Sequence, residues 1–468
     1  MQKDGAYSKK YDFSVGQLRN NVHKFMDLAS LSTSSVAPAF SIAASYGVIA
    51  FYLGIYSIMG VIIVFPVYLF ASIIFRKFNR LYPNAGASYF WGSKIVSKSY
   101  GSFQAWIITL AYFFSIPPIV IPAGEYTAQF LYSLGIISFS LLNNAFTIFI
   151  LGSFWILITL IAGILGARPT AKITELFLGV ELFVIIMFSL IAIYYLPDHM
   201  VNHISFSWFF SFNEIVKKPY AFVLAFPVIA TIMDGWEIDS YASEESFNRE
   251  KWPGTTGIMG FLTVFSIYMI TMTLMDAETP LNLLSGSIDP LAEWASYIIP
   301  KYAVIMYIAV IASTASSLWL TTYILSRAWY AMSRDHLFPQ IFGYTHKKYK
   351  SPWSNLVIIA VTAEAINAFM LFIPSIESFF AQLLSISGIF LMMEFAFDAF
   401  SGIYLFKGSK NILYLLISII TFIAFIFMII MGIATSTFYI ALAVILLIPG
   451  ILMFFIQRNG IKLRKILN

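Results

Sequence analysis

Carboxylates set inside long apolar runs are the residues of this chain best equipped for chemistry. Glu181, in Gly179-Val180-Glu181-Leu182, lies thirteen residues beyond Arg168. At 1.5 Å per residue that is about 20 Å along a helix, deep in a bilayer. An ionisable group at such depth is costly and marks a pathway or a proton relay. It would take up a proton, or hold a sodium ion with the hydroxyls of Ser313, Ser316 and Ser317. The plainer alternative is a protonated glutamate hydrogen-bonded between helices. Asp234, Glu237 and Asp239 crowd around Gly235. Glu237 would shape a site, carry a proton or lock one half of a helix, or else cap a helix end. Asp234 and Asp239 flank the break and are expected to be solvated. Glu394 and Asp398 are spaced i, i+4 on one helix face, near the inner end of a span, where a wet vestibule or a relay would explain them. Glu125 is a pocket candidate, and Glu364 reads as structural.

Two interrupted helices would position such groups. Leu31-Ser32-Thr33-Ser34-Ser35-Val36-Ala37-Pro38 carries consecutive hydroxyls and a proline. Pro38 removes an amide donor and clashes with the preceding turn, and serines and threonines satisfy the freed backbone groups. A simple kink is the alternative. Ala225 to Asp239 repeats the theme with Pro227, Gly235 and three acids. Corresponding breaks in two halves of a membrane chain point to a midplane ligand site. Free amides at a half-helix N-terminus attract a carboxylate, and free carbonyls at a C-terminus attract an ammonium. Such a pair suits a zwitterion.

The chain has 468 residues, 59% hydrophobic and only 11% charged, against about a quarter charged in soluble domains. Lipid is therefore its main solvent. Apolar runs predict an all-α membrane protein with twelve transmembrane helices near 26–46, 48–74, 101–131, 142–166, 170–196, 219–243, 255–275, 301–328, 354–373, 377–405, 411–432 and 435–456. The first boundary is cut at Tyr46-Gly47. Met1 to Lys24 is polar and shows no signal peptide.

With both termini cytoplasmic, all but Lys217, Lys218 and Lys301 of the 28 basic residues fall on the cytoplasmic side. Lys3, Lys9 and Lys10 lie in the N-terminal segment. A wrong span count would scramble this bias. The same bias accounts for the net charge of +5 without nucleic acid. The connections 76–100 and 277–300 follow the second and seventh spans. They occupy equivalent places on opposite faces if spans one to five and six to ten are inverted repeats. The organisation expected is a cytoplasmic segment (1–25), a first repeat (26–196), a second repeat (197–405), and two further helices with a basic tail (406–468).

Cysteine is absent, which excludes disulfides and thiolate chemistry. His23, His199, His203, His336 and His346 all fall in segments expected to be aqueous. The His199–His203 spacing is an incidental pair rather than a zinc site. No cofactor and no metal are expected.

Three stretches resemble the amino acid–polyamine–organocation superfamily of permeases. Arg80-Leu81-Tyr82-Pro83-Asn84-Ala85-Gly86-Ala87-Ser88-Tyr89 is similar to that family's FPxAGGxY stretch. Gly235-Trp236-Glu237, with Glu244-Glu245 before Pro253, is similar to its sixth-span pattern. Ser326-Arg327 through Tyr330-Ala331-Met332-Ser333-Arg334-Asp335 to Pro339 is similar to SRxxYAMxRDGxxP. The resemblance covers roughly residues 25–405. It implies a five-plus-five inverted repeat with broken helices 1 and 6 plus two C-terminal helices, and secondary transport of amino acids or amines in a multi-pass cell-membrane protein.

By this resemblance the substrate contacts fall on Ser32, Thr33, Ser34, Ser35 and Ala37, and on Thr231, Ile232, Asp234 and Gly235. Coupling falls on Glu181, Glu237, Ser313, Ser316 and Ser317. The family's GSG in the first broken helix has no counterpart here. Thr231 stands where some relatives place a gating aromatic. Glu181 stands where proton-coupled relatives often carry lysine. Arg327, Arg334 and Asp335 form a cytoplasmic gate or simple anchors. Proton symport is the leading expectation, with sodium symport and exchange as alternatives. A membrane enzyme is disfavoured because no HExxH, cysteine or spanning histidine is present. A channel is disfavoured because no repeated filter is visible.

Overall fold

A computed structural model describes residues 16–373, 375–434 and 437–467. Lys3, Lys9 and Lys10, and positions 435–436 at the start of the last expected span, lie outside the described residues. The described chain is helical and contains no β-strand. Helices α1 (Phe25–Val36) and α2 (Pro38–Leu53) are the two parts of one interrupted segment, and α3 (Ser57–Leu81) follows. After the short α4 (Ala87–Ile95), α5 (Lys98–Ser115) and α6 (Pro117–Ser133) form one kinked segment. Then come α7 (Phe139–Leu142), α8 (Ala145–Leu165), α9 (Ala167–His199), α10 (Phe212–Lys217), α11 (Pro219–Ile232) and α12 (Ile238–Tyr241). The remainder is α13 (Thr255–Glu278), α14 (Leu281–Gly286), α15 (Pro290–Ile298), α16 (Val304–Arg334), α17 (Trp353–Phe369), α18 (Ile376–Phe406), α19 (Ile412–Ala434) and α20 (Thr437–Leu467).

Prolines start several of these helices. Pro38, Pro117, Pro219 and Pro290 stand at the first helical turn, where a missing amide leaves no bond unmade. Among the described residues, ten helical segments are long and apolar enough to cross a bilayer. The first, Phe25–Leu81, has 57 residues. At 1.5 Å per residue it would reach about 85 Å, far beyond the ~30 Å of one hydrocarbon core.

The chain breaks this segment later than its sequence suggests. The expected cut at Tyr46-Gly47 lies inside α2, and the turn falls at Gly54–Tyr56. Gly54 has φ +59° and open space around it, a conformation that glycine adopts without steric cost. Gly47 serves packing instead, since a Cβ there would sit 3.1 Å from the Leu284 carbonyl oxygen and 3.2 Å from that of Ser287. These carbonyls belong to the 277–300 connection, which folds as α14 and α15 and docks on α2. The 76–100 connection folds as α4 and packs on α5 and α18.

The interrupted helices sit at the centre of the bundle. Helix α1 packs on α13, α9 and α16, while α11 packs on α2, α18 and α19. Trp236, within the second break, is fully buried. It stacks on Phe395 at 5.5 Å between ring centroids and meets Phe75 edge-on at 5.1 Å. This aromatic cluster anchors a stretch that lies between α11 and α12, outside both helices.

Candidate functional site

The first break is made by Ala37, whose φ is +53°, a left-handed value uncommon outside glycine. Pro38 then restarts the helix without an amide. The next two amides, pointing out of the new N-terminus, are both taken by side chains. Ala39 N donates to Glu181 Oε1 at 2.8 Å, and Phe40 N donates to Ser313 Oγ at 3.0 Å. Ser313 Oγ in turn donates to Glu181 Oε1 at 2.5 Å. Glu181 and Ser313 are fully buried, and Glu181 Oε2 has no hydrogen-bond partner. A carboxylate from α9 thus caps α2, the favourable end of the helix dipole for negative charge.

The other serines expected around Glu181 divide. Ser34 Oγ donates to Ser316 Oγ at 2.9 Å, and Ser316 Oγ donates to the Ser313 carbonyl at 2.9 Å. Ser317 instead lines the central cavity.

The second break runs from Met233 to Glu237. Gly235 has φ +106°, and a Cβ there would come within 2.6 Å of the Ser35 carbonyl oxygen. The two breaks therefore touch through backbone. Glu237 folds back over its own loop. Its Oε2 accepts from Gly235 N at 3.0 Å and its Oε1 from the Tyr112 hydroxyl at 2.7 Å. The Ile232 carbonyl, a group expected to be free, accepts from the Tyr268 hydroxyl at 2.8 Å. Asp234 Oδ1 has no partner.

A cavity lies where the breaks meet. Ser35, Val36, Phe40, Ser41 and Ser45 line it from α1 and α2, and Thr231, Ile232, Asp234 and Gly235 from the second break. Of the expected site residues, Ser35, Thr231, Ile232, Asp234, Gly235 and Ser317 line this cavity. Ser32, Thr33, Ser34 and Ala37 are buried outside its lining; the Thr33 hydroxyl, for instance, returns to the Ala29 carbonyl at 2.8 Å. Glu181, Glu237, Ser313 and Ser316 stand behind it in the hydrogen-bonded groups described above.

The sequence offered no pointer to the remaining walls. Tyr112 and Ser115 come from α5, Pro118 and Ile119 from α6, Thr321 and Ile324 from α16, and Leu384, Ser387 and Leu391 from α18. Ser317, Thr321 and Ile324 share one helix face, as do Leu384, Ser387 and Leu391. Such stripes were countable, but any buried helix carries one. Together the walls offer hydroxyls and one unpaired carboxylate oxygen at the breaks, with an apolar lobe from Phe40, Ile119, Ile324, Leu384 and Leu391. That combination suits a small zwitterion with an apolar body.

Three expectations about charged groups are corrected. Asp239 is not solvated but fully buried. It accepts from Gly254 N and Gly257 N, both at 2.6 Å, and from Thr256 Oγ1 at 2.7 Å, and so caps α13. Glu394 and Asp398 are not in a wet vestibule. They are 0% and 1% exposed, because α4 folds over them. Ser88 and Tyr241 donate to Glu394 Oε1 at 2.9 and 2.6 Å, and Gln104 donates to Asp398 at 2.8 Å. His23 is buried rather than aqueous, with Nε2 3.1 Å from the Tyr323 hydroxyl.

His23 belongs to a hydrogen-bonded cluster around Glu245. Arg327 Nε pairs with Glu245 Oε2 at 3.0 Å, and the Tyr323 hydroxyl donates to the same oxygen at 2.5 Å. Val22 N and His23 N both donate to the Glu245 carbonyl. Arg334 forms a two-pronged pair with Glu244 at 2.7 and 2.8 Å, and the Tyr89 hydroxyl donates to Asp335 at 3.2 Å.

The profile of the amino acid permease family matches residues 24–458. The branched-chain amino acid permease BcaP of Bacillus subtilis (strain 168) is 22% identical over 302 residues. The match covers 61% of this chain, and the chain spans 61% of the length of that curated relative. The crystal structure of MhsT in complex with L-phenylalanine has a TM-score of 0.56 with this chain, covering 88% of it and 99% of MhsT. At 14% identity that likeness is one of fold.

Proposed function

The chain belongs to the amino acid permease family, a family of transporters and not of enzymes, and we propose that it moves amino acids or related amines across the cell membrane by secondary active transport. The bundle makes twelve crossings with both termini cytoplasmic. Two inverted repeats, 26–196 and 197–405, contribute one broken helix each, and α19 and α20 follow as additions. The lysine and arginine distribution supports this orientation. The cavity between the breaks holds the substrate, whose ammonium pairs with Asp234 and whose apolar side chain enters the Phe40–Leu391 lobe.

Coupling is to protons. The observation that carries it is the bond between Glu181 and the amide of Ala39, 2.8 Å long, at the hinge of the first broken helix. An ionised Glu181 holds the start of α2 with a charge-assisted bond, which is roughly twice as strong as a neutral one. Proton uptake weakens that bond beside the wall formed by Phe40 and Ser41. Protonation and hinge position are thereby one equilibrium, which is what a coupling device requires. Glu237 plays the equivalent part at the second break, through Gly235 and Tyr112.

The test is uptake of radiolabelled amino acids by the purified chain in sealed proteoliposomes. A pH gradient, acid outside, is expected to drive accumulation in sodium-free buffer. Accumulation that needs a sodium gradient would replace the proton with sodium at Glu181, Ser313 and Ser316. Release of preloaded amino acid only in exchange for external amino acid, with no net uptake under either gradient, would make the protein an exchanger.

A further inference from the structure

Behind the cavity a second set of buried acids has no part in holding substrate. Glu394 and Asp398 sit one turn apart on α18, fully enclosed. Neither forms an ion pair among the described residues. One oxygen of each, Glu394 Oε2 and Asp398 Oδ2, lacks any hydrogen-bond partner. Buried charges are normally paired or bonded at both oxygens. Four carboxyl groups, those of Asp234, Glu237, Glu394 and Asp398, then share one interior, and none of them forms an ion pair among the described residues.

These groups form a continuous line. Asp234 lines the cavity with a free Oδ1. Glu237, three residues on, accepts from Tyr112, and Tyr112 also faces Glu394. Ser88 donates to Glu394 and faces Asp398. Asp398 accepts from Gln104, whose Oε1 is buried and unpartnered. On the far side of α4, a second cavity is lined by Ser93, Lys94, Lys98 and Asp335. It lies on the face assigned to the cytoplasm.

The other groups facing the line are tyrosines. Tyr68 of α3 faces Asp234 and Glu237 with a buried hydroxyl that has no partner. Tyr241 faces Glu394 and Asp398, and Tyr100 faces Asp398. Hydroxyls and carboxyls that donate and accept in turn are the parts of a proton path, whereas a sodium path needs several oxygens converging on one point.

We propose that Glu394 and Asp398 form the inner half of a proton path, which carries the proton from Glu237 through Tyr112 and Ser88 to the cytoplasmic face. Each transfer moves one proton from a carboxylic acid to the next carboxylate, and the last carboxylic acid, Asp398, enclosed beneath α4 in this conformation, releases it to water once the cytoplasmic side opens. This rests on the proton-coupled reading above and adds a release route separate from Glu181.

The experiment uses the full chain in proteoliposomes containing a pH-sensitive dye, with wild type, Glu394→Gln and Asp398→Asn compared. Two signals are read: substrate counterflow at equal pH, and proton entry with net uptake. Both variants are expected to keep counterflow and to lose about tenfold or more of substrate-coupled proton entry. Proton entry close to wild type in both would overturn the release route and leave proton coupling standing. Loss of counterflow together with proton entry in both would make the pair structural and likewise overturn the route. Amino acid uptake by wild type with no proton entry would overturn the coupling itself.

Discussion

Gly235 presses on Ser35: a Cβ at residue 235 would lie 2.6 Å from the Ser35 carbonyl oxygen, and its φ is +106°. The contact joins two stretches two hundred residues apart in the chain. Both obstacles act against any side chain there. Gly235→Ala should lose the thermal stabilisation that ligand gives the wild type, and the left-handed backbone alone costs about 1–2 kcal/mol. Differential scanning fluorimetry in detergent, with and without amino acids, measures both effects. An unchanged ligand shift would mean that the breaks do not form the site.

Glu181→Gln keeps an oxygen for the Ala39 amide but removes the exchangeable proton. Counterflow should persist, while accumulation driven by a pH gradient collapses. At 100 mV one proton supplies about 2.3 kcal/mol, so the loss is from roughly 40-fold accumulation to none. Proteoliposome uptake measures it. Accumulation with unchanged pH dependence would remove Glu181 from coupling.

Asp239 has a structural part. Asp239→Ala strips the acceptor from Gly254 N, Gly257 N and Thr256 Oγ1, which leaves the α13 N-terminus uncapped. The expected loss is about 2–4 kcal/mol of stability, seen as a lower unfolding midpoint. Asp239→Asn should recover part of it. A midpoint equal to wild type for the alanine variant would show that the cap does not matter.

Arg327→Ala leaves Glu245 buried without its partner, a change of about 3–5 kcal/mol against the cluster around it. The chain has no cysteine, so single-cysteine labelling needs no prior engineering. A cysteine placed at Ser387, on the cavity wall, should react faster with a cytoplasmic-side maleimide in the Arg327→Ala background. Equal labelling rates would indicate that other contacts hold the cytoplasmic side shut.

His23 supplies a pH dependence outside the membrane spans. Burial lowers its proton affinity below the ordinary 6.5, against a smaller opposing pull from Glu245. The unfolded chain therefore binds a proton below pH 6.5 that the folded chain refuses. This contribution to stability is complete above pH 6.5 and declines as pH falls below it. The unfolding midpoint should drop between pH 6.5 and 5 more in wild type than in His23→Gln. Parallel curves would exclude His23 as the source.

Much of the fold was legible because lipid imposes it. Runs of apolar residues must form helices that satisfy their own backbone, so Phe25, Lys98 and Thr255 open helices close to where hydropathy puts them. The breaks at Ala37 and Gly235 were legible because proline, glycine and hydroxyl clusters act locally. The turn at Gly54 was mistaken for one at Gly47 because a glycine that turns the chain and one that admits a neighbour look alike in sequence. The burial of Asp239, Glu394 and Asp398 depends on α4 and on the 250–257 loop folding over them, which no local pattern records.

The site divides along the same line. Residue order alone specified which segments would lose helical hydrogen bonds, and that acids lie beside them, because these are properties of a few adjacent residues. Only the folded chain decided that Gly235 meets Ser35, that Glu181 rather than a ligand takes the Ala39 amide, and that α5, α6, α16 and α18 supply the remaining walls. Those outcomes depend on close packing between helices far apart in sequence, where a shift of one residue would turn a different face to the cavity.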